Sequence, residues 1–185
     1  KNNEEYYEKR IDSFGDSFLD KVMELKEHAA SMVAGSKNQK SAFWSGNKRF
    51  KENDYWYYEA QLELKNKYYD DKMPVFGIYY YEMDCIITAY GTLKPENLVH
   101  HKLKTDSPLE ILKFFDEDRY QAGEMIFATA NSEENYEGEM LIGYCATMGK
   151  NQDSVLIYYV IEPDTYEDSI ASVYRDSNIL YYIVN

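Results

Sequence analysis

Few side chains in this sequence are of a type and spacing that could carry chemistry. There are three histidines, His28, His100 and His101, and two cysteines, Cys85 and Cys145. His100 and His101 are adjacent, so their rings point in different directions. His28 falls within a long helical stretch, where a surface position is expected. No HExxH or CxxC spacing occurs, and no histidine lies close to a cysteine in the sequence. GxSxG, Walker and GxGxxG patterns are missing as well. Cys145, in GYCATMG, sits in a strand-like run with no helix N-terminus or basic neighbour to lower its pKa, which reads as a buried structural thiol. Asp116-Glu117-Asp118 reads as a solvated helix end rather than a cation site, and Asn131–Glu139 lacks the alternating ligand spacing of a calcium loop. Lys37–Lys51 is locally basic around Trp44, a composition that can bind phosphates or single-stranded nucleic acid. The net charge of −13 opposes that use. The expectation is a protein with no catalytic residues, no metal and no cofactor, and not an enzyme.

Tyrosine is the functional side chain present in quantity, at 20 of 185 residues. It joins a large apolar body to a polar tip, which suits half-buried faces and binding-site walls. The densest group lies in VFGIYYYE and CIITAYG, two strand-like runs separated by Met83-Asp84. A two-residue turn there pairs Glu82 with Cys85, Tyr79 with Thr88 and Gly77 with Tyr90. One face of the hairpin then carries Phe76, Ile78, Tyr80, Ile87 and Ala89, suited to packing under a helix. The other carries Gly77, Tyr79, Tyr81, Ile86, Thr88 and Tyr90: rings for contact, hydroxyls for orientation, and a glycine that leaves room. That second face is either a ligand cavity or a second core layer under a later helix. As a cavity, it takes Tyr79, Tyr81, Thr88 and Tyr90 as ligand-binding residues. Arg119 and Tyr120 would come from the covering segment after a helix at 109–118. Arg119 is the only basic residue between Lys113 and Lys150. Its guanidinium can hold a carboxylate in bidentate fashion or pair with its acidic neighbours. Thr129 and Tyr144 join the same wall if their strands present the matching face.

The elements that must position these groups follow from periodicity. Tyr7, Ile11, Phe14, Phe18, Val22, Leu25, Ala29 and Met32 recur at spacings of three and four, which predicts an amphipathic helix over 4–34 stopped by Gly35-Ser36. Residues 36–53 read as an irregular connection. A second helix over 55–70, capped by Asp54, is expected to carry Tyr58, Leu62 and Tyr69 on one side and to end at Met73-Pro74. Ser107-Pro108-Leu109-Glu110 is a helix start with a capping box. Strands are predicted at 124–130, 139–147 and 154–161, a short helix from Pro163 to Arg175, and a last strand at 179–184. Consecutive strands without crossover helices imply an antiparallel sheet of about five strands, hence an α+β fold. The length allows one domain with its own core, and ordinary globular composition, 44% hydrophobic and 29% charged, argues against disorder. No apolar run approaches a membrane span. Acidity is uneven: residues 1–100 hold 14 basic and 17 acidic side chains, residues 101–185 only 6 and 16.

The element order, and above all PVFGIYYYEMDCIITAYGTLKPENL, resembles the Cache-type extracytoplasmic sensor domains of bacterial transmembrane receptors. The final stretch VLIYYVIEPDTYEDSIASVYRDSNILYYIVN is similar to the last strand of such a module and the helix after it. The resemblance implies a PAS-like central sheet with the long helix packed on it. It places a sensor module at 1–175 and the start of a further strand or second module at 176–185. It further implies a ligand-sensing function in an AraC-type regulator, histidine kinase or chemoreceptor. The implied partners are a small organic acid, amino acid or sugar, and a second copy of the chain along the N-terminal helix. Nucleic acid is not implied, and the membrane enters only through flanking spans, giving an extracytoplasmic, membrane-anchored location. The ordered Tyr, Arg, Trp, Tyr and Asp set of amino-acid-binding double-Cache receptors does not occur here. A different class remains open: a secreted or lipid-anchored protein using its tyrosines to bind carbohydrate or a partner protein.

Overall fold

A computed structural model describes residues 2–46, 48, 55–93, 123, 125–129 and 140–161. Helix α1 spans Asn2–Ser36. Val22, Leu25, Ala29 and Met32 are buried at spacings of three, four and three, as the stripe requires, and Phe18 packs against the same core. Of Tyr7, Ile11 and Phe14 only the backbone is described. The helix ends where its geometry is captured from outside. Ser36 Oγ donates to the Val33 carbonyl at 2.6 Å and accepts from the Gly149 N–H at 2.9 Å, so α1 is fastened to a turn 113 residues away.

The connection after α1 is more ordered than its composition predicts. Ser41 caps a 3₁₀ turn, Ala42–Ser45, through its hydroxyl. The buried Glu63 carboxylate accepts from Ser41 Oγ at 2.9 Å, from the Ala42 N–H at 2.6 Å and from Lys67 Nζ at 2.9 Å. Trp56, fully buried, donates its indole N–H to the Ala42 carbonyl at 2.7 Å. Helix α2 covers Trp56–Glu63 and widens into a π-turn, Leu64–Tyr68. Its inward face is Trp56, Ala60, Glu63 and Leu64; Tyr58 and Leu62 are exposed. The helix turns inward on its carboxylate because three donors meet it there, a use of Glu63 that hydrophobic periodicity does not register. The expected cap, Asp54, lies outside the described residues.

The sheet is antiparallel throughout: β1 Val75–Tyr80, β2 Cys85–Thr88, β3 Thr92–Leu93, β4 Met125–Thr129, β5 Met140–Met148 and β6 Asp153–Ile161. Among the described residues it runs β3-β2-β1-β6-β5-β4, six strands where about five were expected, because Thr92–Leu93 adds a short edge beside β2. Phe76, Ile78, Tyr80, Ile87, Ile157 and Tyr159 face the core that α1 and Trp56 close. The fold is therefore α+β, with the N-terminal helix packed against a small antiparallel sheet.

The hairpin register departs from expectation by two residues. Ile78 pairs with Ile87, Tyr79 with Ile86 and Tyr80 with Cys85. The connection is the four-residue turn 81–84, closed by Asp84 N–H to the Tyr81 carbonyl at 3.3 Å, with Asp84 at φ 47°. Tyr81 spends its own N–H on the Ser154 carbonyl of β6, at 3.3 Å, and so is drawn away from β2. A slip of two preserves every side chain's face, whereas a slip of one would have exchanged them. Cys85 and Cys145 are buried and form no disulfide; they lie on opposite faces, on strands separated by β1 and β6. The helices expected at 109–118 and after Pro163, the strand at 179–184 and the division at 176 lie outside the described residues.

Candidate functional site

The second face of the sheet is closed at its centre. Ile86, Leu156, Tyr158 and Val160 are all buried there. The room beside Gly77, expected to admit a ligand, is taken by its cross-strand partner Tyr158. A Cβ on Gly77 would lie 2.5 Å from that tyrosine's hydroxyl and 2.8 Å from its ring. Burial alone holds the Tyr158 phenol protonated far above the usual range. This part of the face is a second core layer.

What stays accessible is the tip of the hairpin. Tyr79 and Tyr81 are half-buried, their rings edge to face with centroids 4.9 Å apart. Tyr79 Oη donates to Asp84 Oδ1 at 2.9 Å, which fixes the direction of the hydroxyl's remaining lone pairs. Alternation along β1 puts both tyrosines on the second face, and the left-handed turn at Asp84 brings the carboxylate back onto Tyr79. This arrangement offers a ring surface, an oriented hydroxyl and an acceptor to a small polar molecule.

The other expected members separate. Thr88 is committed to the β2–β3 turn: its hydroxyl donates to the Gly91 carbonyl at 2.9 Å and accepts from the Tyr90 and Gly91 N–H groups at 3.2 and 3.1 Å. Tyr90 lies past the end of β2, where alternation no longer assigns a face. It is 69% exposed and donates to the hydroxyl of Tyr69, with the two rings edge to face. Tyr144 lies in register with Ile157 and packs against the α1 core, on the face opposite Tyr79. Thr129 pairs with Met140 at the end of β4, and its side chain is outside the description. Arg119 and Tyr120 also lie outside the described residues. Sequence reasoning missed Asp84 as the partner of Tyr79 and Tyr69 as the partner of Tyr90. Only Asp84, in the same hairpin, left a local signal.

Of the described residues, Cys85 is silenced and His28 is engaged. Burial, reinforced by Asp84, pushes the Cys85 thiol up to about 12, so it carries no thiolate at neutral pH. His28, expected on the surface, is half-buried with both ring nitrogens bonded, to Tyr159 Oη and to the Tyr68 carbonyl, each at 2.8 Å. Among the described residues no cluster of His, Cys, Asp or Glu is grouped to hold a metal ion. No helix among them is long and apolar enough to cross a membrane. Comparison of the chain with family models, with curated proteins and with solved structures finds no match.

Proposed function

We propose that this chain is the extracytoplasmic, Cache-type ligand-sensing domain of a bacterial transmembrane receptor, binding a small organic acid, amino acid or sugar rather than catalysing a reaction. The observation that carries the reading is the division of labour along β1. Tyr79, with Tyr81 beyond it, faces the accessible hairpin tip, while Ile78 and Tyr80 on either side of Tyr79 sit in the core closed by α1. A ligand that moves Tyr79 moves the neighbours on which the long helix rests. The order of long helix, second helix, hairpin and three antiparallel strands supports the same reading. In this proposal Arg119 supplies the fixed positive charge and Tyr120 a further wall. Flanking spans provide the membrane anchor, and the N-terminal turns of α1 pair with a second copy.

A thermal-shift panel of small carboxylic acids, amino acids and sugars tests it. A compound present at 100 times its Kd adds about 2.7 kcal/mol. For a chain of this size that raises Tm by about 5–10 °C. At least one compound is expected to do so, with a smaller shift in Tyr79→Phe and Arg119→Ala. A panel without a hit, or a hit that shifts all three proteins equally, contradicts the assignment. A second reading, a surface for carbohydrate or a partner protein, is favoured by the exposed Tyr55, Tyr58 and Leu62 of α2 and by Tyr90. It predicts that any hit loses its effect on substitution of those residues instead.

A further inference from the structure

His28 is the one side chain of α1 that hydrogen-bonds two other elements at once in the contacts given above. It lies one turn before Met32, on the helix flank that meets β6 and the π-turn. Its Nε2 is 2.8 Å from the Tyr68 carbonyl, the last residue of the π-turn, and its Nδ1 is 2.8 Å from Tyr159 Oη on β6. A carbonyl can only accept, so Nε2 carries the proton. In the neutral ring Nδ1 is then an acceptor, and Tyr159 donates to it. The three aromatic neighbours stand edge-on or steeply inclined to the imidazole: Phe76 of β1 at 5.1 Å between centroids, Tyr159 at 5.8 Å and Tyr68 at 6.3 Å.

A second proton on the ring reverses one of these bonds. Nδ1–H would have to donate to the Tyr159 oxygen, and the tyrosine proton would need a new acceptor from a residue with no exposed surface. We propose that His28 is an acid-sensitive latch, which as a neutral imidazole pins α1 to the π-turn and to β6 and which releases the helix when protonated. This goes beyond ligand sensing and does not depend on it.

The groups facing the ring are few. Glu24 on α1 and the Tyr68 carbonyl favour the cation; Phe76 brings no charge; Tyr159 is a neutral phenol whose own ionisation burial pushes far up. Lys67 and Glu63, beside Tyr68, are paired with each other at 2.9 Å. Burial outweighs Glu24 and the Tyr68 carbonyl and lowers the His28 pKa below its ordinary 6.5. Above pH 6.5 neither folded nor unfolded chain holds the proton, and the latch contributes in full. As pH falls through 6.5 the unfolded chain takes up a proton that the folded one refuses. The folding constant then drops by up to about tenfold per pH unit until the folded pKa is reached.

Imidazole 15N spectra of the 185-residue chain between pH 8 and 4.5 test this without altering it, the His28 signals being those lost in His28→Gln. The expected result is the Nε2–H tautomer at neutral pH with a midpoint below 6.5. Urea unfolding should show the unmodified chain losing folding constant between pH 6.5 and 5 relative to His28→Gln. Tyr159→Phe, which removes the donor to Nδ1, should raise the His28 midpoint. Backbone amides at Leu25–Met32 should exchange faster at pH 5 in the unmodified chain than in His28→Gln. An Nδ1–H tautomer, a midpoint at or above 6.5, equal pH dependence in the two proteins, or equal exchange at those amides would overturn the latch. If His28→Gln does not fold, the Tyr159→Phe protein identifies the signal by its shift, and the tautomer and midpoint decide alone.

Discussion

Gly149→Ala is expected to destabilise the protein by about 2–5 kcal/mol, the sum of a left-handed backbone penalty and an overpacking penalty. Gly149 opens the β5–β6 turn at φ 71°, a conformation that costs an L-residue about 1–2 kcal/mol. The larger cost is spatial. A Cβ there would lie 2.3 Å from the Phe43 carbonyl oxygen and 2.7 Å from that of Trp44. Both are backbone atoms of the 3₁₀ turn, and that turn is held on either side. The Lys150 N–H donates to the Trp44 carbonyl at 2.7 Å, and Ser41 with Glu63 fixes its N-terminus. Neither oxygen can rotate aside as a side chain would. The same shift would pull the Gly149 N–H from Ser36 Oγ and loosen the end of α1. Urea midpoints give the loss directly, and a loss below about 1 kcal/mol would mean that the turn is not seated against residues 43–44.

Gly77→Ala should cost about 1–3 kcal/mol, for the different reason that the methyl meets a side chain. Its Cβ would come within 2.5–2.9 Å of three atoms of Tyr158, whose ring is buried on the second face. A double-mutant cycle with Tyr158→Ala separates the two residues. With the ring removed the alanine methyl has room, and the cost of Gly77→Ala should fall by most of its value. An unchanged cost would show that the ring does not fill this space and would reopen the centre of the second face to a ligand.

These two glycines show what was legible in the sequence. Alternation in VFGIYYYE and CIITAYG places Ile78 and Ile87 under the helix, and that survives a two-residue slip in register because side chains repeat every two residues. The slip itself was not legible. It comes from Tyr81 bonding to Ser154, a contact made only once β6 is in place. The composition of the second face, tyrosines with a glycine between them, fits a cavity and a core layer equally. Register alone shows that Tyr158 lies opposite Gly77. The inward face of α2 was not legible because its deepest polar residue, Glu63, is satisfied by donors more than twenty residues earlier. His28 was read as a surface residue on the same ground: its partners are 40 and 131 residues away. The long stripe of α1, by contrast, is local, and Val22, Leu25, Ala29 and Met32 are buried as the spacing requires.

The measurement that bears most directly on the sensing proposal is a backbone amide map of the 185-residue chain, titrated with the compound giving the largest thermal shift. The account predicts saturable shifts at Tyr79, Tyr81 and Asp84, carried along β1 to Ile78 and Tyr80 and into α1 near Leu25–Met32. Shifts confined to Tyr55–Leu62 and Tyr90, with the hairpin tip and α1 unmoved, would contradict it and place recognition on the outer tyrosine surface.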